Sequence, residues 1–108
     1  MNHSGYHSTN NISQMVEVYS IISLVNGDIY VGMALNSERR LKEHNSGRNR
    51  YTKGLRPWKL FQVEFFPDWK QARFREKYLK SGVGKEYLKM LVRSSASDLE
   101  EGQLVTEL

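Results

Sequence analysis

Two runs rich in β-branched and aromatic residues, Val16 to Ile22 and Ile29 to Val31, meet across Asn26-Gly27. Asn-Gly between such runs is the strongest short-range signal for a β-hairpin, because both residues tolerate the positive φ of a type I′ turn. A two-residue turn sets Val25 opposite Asp28, Ser23 opposite Tyr30, Ile21 opposite Gly32 and Tyr19 opposite Ala34. Side chains alternate with period two, so Tyr19, Ile21 and Ser23 share a face with Tyr30 and Gly32. The two tyrosine levels then lie roughly 13 Å apart at ~3.3 Å per residue, so the rings would flank a bound group rather than touch. Gly32 leaves a gap where a backbone or ligand can approach. Two strand aromatics packing in a core is the competing reading.

The remaining segments extend this hairpin into one small domain. Asn36 or Ser37 can cap a helix running to about Asn45 and closed by Gly47. Residues 58–66 read as a third strand, and Asp68 can cap a helix over 69–80 stopped by Ser81-Gly82. A short third helix is expected over 85–92, with Phe74 and Tyr78 of the second helix turned toward it. The order β-β-α-β-α-α suits an α/β (α+β) fold with a central three-stranded antiparallel sheet flanked by helices. The expected division is a polar tail at 1–14, a domain at 15–92 and an acidic, Ser-rich tail at 93–108, where Gly102 interrupts any helix.

Composition removes several function classes. The chain has 108 residues and no cysteine, which excludes a disulfide framework and a thiolate zinc site. No apolar run nears the roughly 18 residues that span a bilayer, and residues 1–14 lack an apolar signal region, so a cytoplasmic, non-membrane protein is expected. Charge is segregated. All 16 Lys and Arg fall between Arg39 and Arg93, against six acids (Glu38, Glu43, Glu64, Asp68, Glu76, Glu86), giving that stretch a net +10 while both flanks are acidic. Such concentration suits a polyanionic partner, DNA or alternatively RNA, although a solvated, solubilising surface would look similar.

Two helices carry unusual residues. Between Asn36 and Asn45 the only large apolar residue is Leu41, and Arg40 and His44 border it at i, i+4 spacing. That edge could face an anionic substrate, with Arg39, Lys42 and Glu43 solvated; a charged helix held only by Leu41 is the plainer alternative. In the second helix Trp69, Ala72, Glu76 and Leu79 fall within about 80° of one another. Glu76 is therefore a lone carboxylate on an inward stripe, among Lys70, Arg73, Arg75, Lys77 and Lys80. It is costly to bury unless paired, for example with Arg40, or bound to a hard cation such as Mg²⁺.

Taken in order, Val18-Tyr19, Asn26-Gly27, Tyr30-Val31-Gly32, the helix from Glu38 to Gly47, Pro57-Trp58-Lys59-Leu60 and the run from Arg75 to Gly82 resemble the GIY-YIG nuclease domain. The similarity is to the short stand-alone type related to the excinuclease nuclease domain. The resemblance implies metal-dependent hydrolysis of DNA phosphodiester bonds, in DNA repair or processing, with Mg²⁺ or Mn²⁺ on Glu76. It implies charge stabilisation at the scissile phosphate by Arg40, positioning or deprotonation of the attacking water by one of the motif tyrosines Tyr19 and Tyr30, by family analogy Tyr19, and a place for His44 in the same hydrogen-bonded network. Gly32, Arg39, Arg48, Arg50, Lys53 and Arg56 are the expected nucleic-acid contacts. Glu17 departs from the glycine of the first motif, and Met33-Ala34 from the polar residues that often follow the second. No zinc module, helix-hairpin-helix or homing-type recognition domain accompanies the motifs, so target choice falls to the domain, its basic loop or a protein partner; oligomeric state is left open. A nucleic-acid-binding module with little or no catalysis is the alternative.

Overall fold

The computed structural model describes residues 15–107, with side chains through residue 95. Three strands, β1 (Val16–Ser23), β2 (Ile29–Ala34) and β3 (Trp58–Phe66), form an antiparallel sheet in the order β2-β1-β3. The helices are α1 (Ser37–Ser46), α2 (Trp69–Lys80) and α3 (Gly82–Glu107), with a 3-10 turn at Lys53–Leu55 before β3. The order β-β-α-β-α-α is the expected one. The expected tail at 1–14 lies outside the described residues.

The hairpin forms, but its register is shifted by two residues. Tyr19 pairs with Gly32 and Ile21 with Tyr30, and Glu17 takes the place opposite Ala34. The reason is a four-residue loop, closed by Ser23 N–H donating to Asp28 O (2.8 Å) and Gly27 N–H donating to Ser23 O (2.9 Å). Ser23 Oγ accepts from the amides of Val25 (3.1 Å) and Asn26 (3.3 Å), and donates to Leu55 O (2.8 Å). These bonds satisfy the loop amides without a type I′ turn. A shift of two preserves parity, so Tyr19, Tyr30 and Gly32 still share a face.

That face and its opposite carry different cores. Val16, Val18 and Val31 pack with Ala72 and Leu79 of α2 and Leu88 of α3. Tyr19, Ile21, Ala34 and Trp58 form the second cluster, joined by Tyr30 and by Leu41 of α1. The sheet is thus sandwiched, α1 on the tyrosine side and α2 and α3 on the valine side.

Two expectations about the helices are corrected. Phe74 does not receive α3; it is 80% exposed, and α3 docks through Leu88 on the Ala72–Leu79 stripe. α3 also continues past Val92 and through Gly102 to Glu107. One glycine costs only about 1 kcal/mol in a helix interior, too little to end a helix that its neighbours propagate. Elsewhere the polar contacts between elements are specific. Arg75 of α2 holds Glu64 of β3 through two bonds (2.7 and 3.1 Å), and its guanidinium lies over the rings of Tyr78 and Tyr87. Lys85 Nζ donates to Ile29 O (2.8 Å), tying α3 to the start of β2.

Candidate active site

α1 exists where it does because both its ends are tied. Asn36 caps it by accepting from Arg39 N–H (3.0 Å), and Gly47, with φ 88°, ends it by donating to Glu43 O and His44 O. Glu17, the departure from the glycine of the motif, has a local role here: its Oε1 accepts from Ser37 N–H (2.8 Å) and anchors the helix start to β1. Asn45 clamps the other end to β3, exchanging two hydrogen bonds with the Trp58 backbone (2.7 and 3.0 Å). So held, α1 turns His44, not Leu41, into the interior; Leu41 is only half-buried.

His44 is the centre of the site. Its Nε2 lies 2.9 Å from Tyr19 Oη and its Nδ1 lies 2.8 Å from Thr52 Oγ1. All three residues are essentially shut from solvent, at 0%, 1% and 1% exposure for Tyr19, His44 and Thr52. Tyr30 meets the imidazole edge-on at 4.9 Å and stands 6.4 Å from the Tyr19 ring. The rings therefore contact one another, contrary to the ~13 Å offset expected from a two-residue turn. The gap expected beside Gly32 is filled by Tyr19 itself: a Cβ at residue 32 would meet the Tyr19 hydroxyl oxygen at 2.5 Å.

Burial governs the protonation of the pair. It pushes the Tyr19 phenol up to about 12, with Tyr30 acting in the same direction and the neighbouring Arg40 guanidinium in the opposite one. Burial, and then the positive charge of Arg40, holds the His44 imidazole below its ordinary 6.5. At neutral pH the pair is phenol plus neutral imidazole. Either imidazole tautomer satisfies both hydrogen bonds.

Arg40 is exposed and lies beside the Tyr19 hydroxyl, paired to Glu43 (3.0 Å). Together with Glu43, His44, Arg48 and Asn49 it lines a cleft of about 130 Å³. A second cleft, about 320 Å³, brings Arg39 and Arg40 against Trp69 at the start of α2. Arg50, Lys53 and Arg56 are exposed on the loop leading to β3, where Arg56 Nε donates to Lys53 O (2.7 Å).

Glu76 stands apart from this network. It is 8% exposed and ion-paired within α2, to Lys80 (3.0 Å) and Arg73 (3.7 Å), rather than to Arg40. Among the described residues no hydrogen bond or ion pair joins it to Tyr19, Tyr30, Arg40 or His44. Its helix covers the valine face, while the tyrosines and His44 occupy the other. Trp69, two turns earlier on the same stripe, is what reaches the Arg40 cleft.

A model of the GIY-YIG catalytic domain matches residues 15–88, a span that contains Tyr19, Tyr30, Arg40, His44 and Glu76. The chain belongs to the GIY-YIG family. GIY-YIG proteins form a nuclease family that acts on nucleic acid. Similar chains include a UPF0213 protein of Clostridium perfringens, 37% identical over 82 residues, 75% of this chain and 86% of that protein. A UPF0213 protein of Syntrophus aciditrophicus is 37% identical over 65 residues, 58% of this chain and 75% of that protein. One from Staphylococcus saprophyticus is 33% identical over 72 residues, 66% and 88% respectively. No solved structure matches. Among the described residues no helix is long and apolar enough to cross a membrane.

Three site residues carry no signal in the sequence. Thr52 is one of several hydroxyls in a basic loop, and the helix that carries His44 ends before it, so no periodicity links the two. Asn45 resembles a helix-end residue, and Glu17 a blemish in a motif. Only the fold brings each to its partner.

Proposed function

We propose that the GIY-YIG domain of this chain is an endonuclease that hydrolyses DNA phosphodiester bonds with the help of a divalent cation, structure-specific or weakly sequence-specific, in DNA repair or processing. The carrying observation is the buried Tyr19–His44–Thr52 chain of hydrogen bonds, lying beneath an arginine at the edge of a cationic cleft. Phosphate, with the greater charge that builds on it during hydrolysis, is a better partner for the Arg40 guanidinium than the half-buried Glu43 carboxylate, and exchanging one for the other draws Arg40 off Tyr19. The uncovered Tyr19 Oη then accepts a proton from the attacking water as its own proton passes to His44 Nε2. The high pKa of the phenol is no obstacle, because no free phenolate has to form. His44 ends as imidazolium, its Nδ1–H held by Thr52, and the resulting hydroxide displaces the leaving oxygen, which takes a proton from solvent. Arg40 stabilises the charge that builds on the phosphate.

Glu76 fits a hydrated cation. Its carboxylate is nearly buried, and its two partners are half-exposed Lys80 and Arg73 side chains on flexible stems, free to swing away. Among the described residues no three His, Cys, Asp or Glu cluster together, so Glu76 would be the one carboxylate and water and phosphate oxygens would complete the shell. Mg²⁺ or Mn²⁺ there would supply Lewis acidity to a phosphate oxygen that reaches from the Arg40 cleft to Glu76.

The pairing of Glu76 with Lys80 favours a second reading, a nucleic-acid-binding module with little catalysis. Branched, nicked and duplex DNA, offered to wild type, Arg40→Ala and Glu76→Ala with Mg²⁺ or Mn²⁺, separate the two. Each variant is expected to lose at least about 100-fold in turnover, and Glu76→Ala to lose the Mn²⁺ electron-paramagnetic-resonance signal of bound metal. Equal cleavage by variants and wild type would discard the site; salt-dependent binding without turnover under either metal would establish the second reading.

A further inference from the structure

From His44 to Val63 the chain carries five cations, Arg48, Arg50, Lys53, Arg56 and Lys59, and no acid. At the centre of this run Tyr51 is 81% exposed, and among the described residues its hydroxyl makes no hydrogen bond. Its backbone, by contrast, is fastened. Asn49 Oδ1 accepts from the amides of Tyr51 (2.8 Å) and Thr52 (3.2 Å), and Asn49 O accepts from Lys53 N–H (3.0 Å). Trp58 Nε1 donates to Thr52 O (2.7 Å) from inside the protein. One turn therefore points Thr52 inward onto His44 and holds Tyr51 outward, with their Cα atoms about 3.8 Å apart. Arg48 and Asn49, at the start of this turn, line the cleft of Arg40 and His44.

An outward aromatic ring set among cations is the arrangement that takes a nucleobase on its face while the cations take the flanking phosphates. Inside a duplex each base is already stacked on both sides, so the ring gains a partner only where a base is unpaired or extruded. On the nuclease reading of the Tyr19–His44 site, we propose that Tyr51 is the stacking platform for an unpaired base beside the phosphate held at Arg40. The substrate class is then DNA carrying a flap, bulge or single-stranded junction at the cleavage position, in preference to continuous duplex. Discrimination comes from the domain itself: the cations bind any backbone, and the ring rewards only a free base.

The test compares kcat/KM of the full chain on a continuous duplex and on the same duplex with a single-stranded flap, for wild type, Tyr51→Ala and Tyr51→Phe. Tyr51→Ala is expected to lose about tenfold on the flap, the size of one base–aromatic stack, while duplex cleavage stays unchanged. Tyr51→Phe, which keeps the ring, is expected to behave as wild type. Equal losses on both substrates, no loss on either, or a Phe variant as impaired as the Ala variant would overturn the assignment. A binding arm separates this outcome from failure of the nuclease reading. It uses Arg40→Ala, with and without Tyr51→Ala, and a single-stranded DNA containing 2-aminopurine. Fluorescence quenching that disappears with Tyr51→Ala at an unchanged salt slope supports stacking even if no DNA is cut; quenching indifferent to Tyr51 refutes it.

Discussion

His44 shows how far a single residue was legible. Its place beside Arg40, on an edge of α1, could be read from i, i+4 spacing, and so could its likeness to a family position. Its burial could not. A sequence window reports Leu41 as the anchor because Leu is the apolar residue, whereas the helix is set by polar ties: the Asn36 cap, Glu17 reaching in from β1, and Asn45 bonded to Trp58 of β3. Burial has a consequence for pH. Because His44 in the folded protein resists protonation, the unfolded chain takes up the proton first as pH falls below about 6.5, so stability falls with pH until the folded imidazole titrates as well. The midpoint of urea unfolding is expected to drop between about pH 7 and pH 5. Replacing His44 with Gln should remove this part of the slope; an unchanged slope in H44Q would show that other groups carry it.

At the scale of elements, the types and order were readable because each announces itself locally: β-branched runs, Asn and Asp caps, and Gly47 as a stop. The hairpin register was not, because it depends on Ser23 satisfying the loop amides and on Leu24 N–H reaching Pro57 O (2.9 Å), a contact with a segment far along the chain. The surroundings of Phe74 failed for a related reason. α2 has apolar residues on both sides, and the stripe chosen by α3 is the one with small and branched side chains, Ala72 and Leu79. The joint between β3, α2 and α3 rests instead on Arg75, bidentate to Glu64 and lying over Tyr78 and Tyr87. The carboxyl of Glu64 is held below its ordinary range chiefly by that guanidinium. Arg75→Leu is expected to cost about 1–2 kcal/mol in chemical denaturation, partial exposure trimming the value of a charge-assisted bidentate pair. Loss of much less than this would mean that the apolar contacts alone hold α2 in place.

Across the whole molecule the sheet separates two jobs. One face builds a valine and leucine core against α2 and α3; the other buries a polar relay beneath α1, with the exposed arginines of α1 and of the following loop around it. The segregated charge of the sequence matches that surface only in part: the cations from Arg39 to Lys59 lie on α1, the following loop and β3, whereas those from Lys70 to Arg93 lie on α2 and α3. It could not foretell that Glu76 would lie on the helix of the opposite face, because stripe position within a helix says nothing about which side of a sheet the helix covers. The central claim is that Tyr19 moves the proton of the attacking water to His44. Tyr19→Phe tests it most directly, since it keeps the ring against Gly32 and removes only the hydroxyl. Single-turnover cleavage of flapped DNA with Mg²⁺ is expected to slow at least about 100-fold in Y19F, with binding and circular dichroism unchanged; cleavage at the wild-type rate would contradict the account.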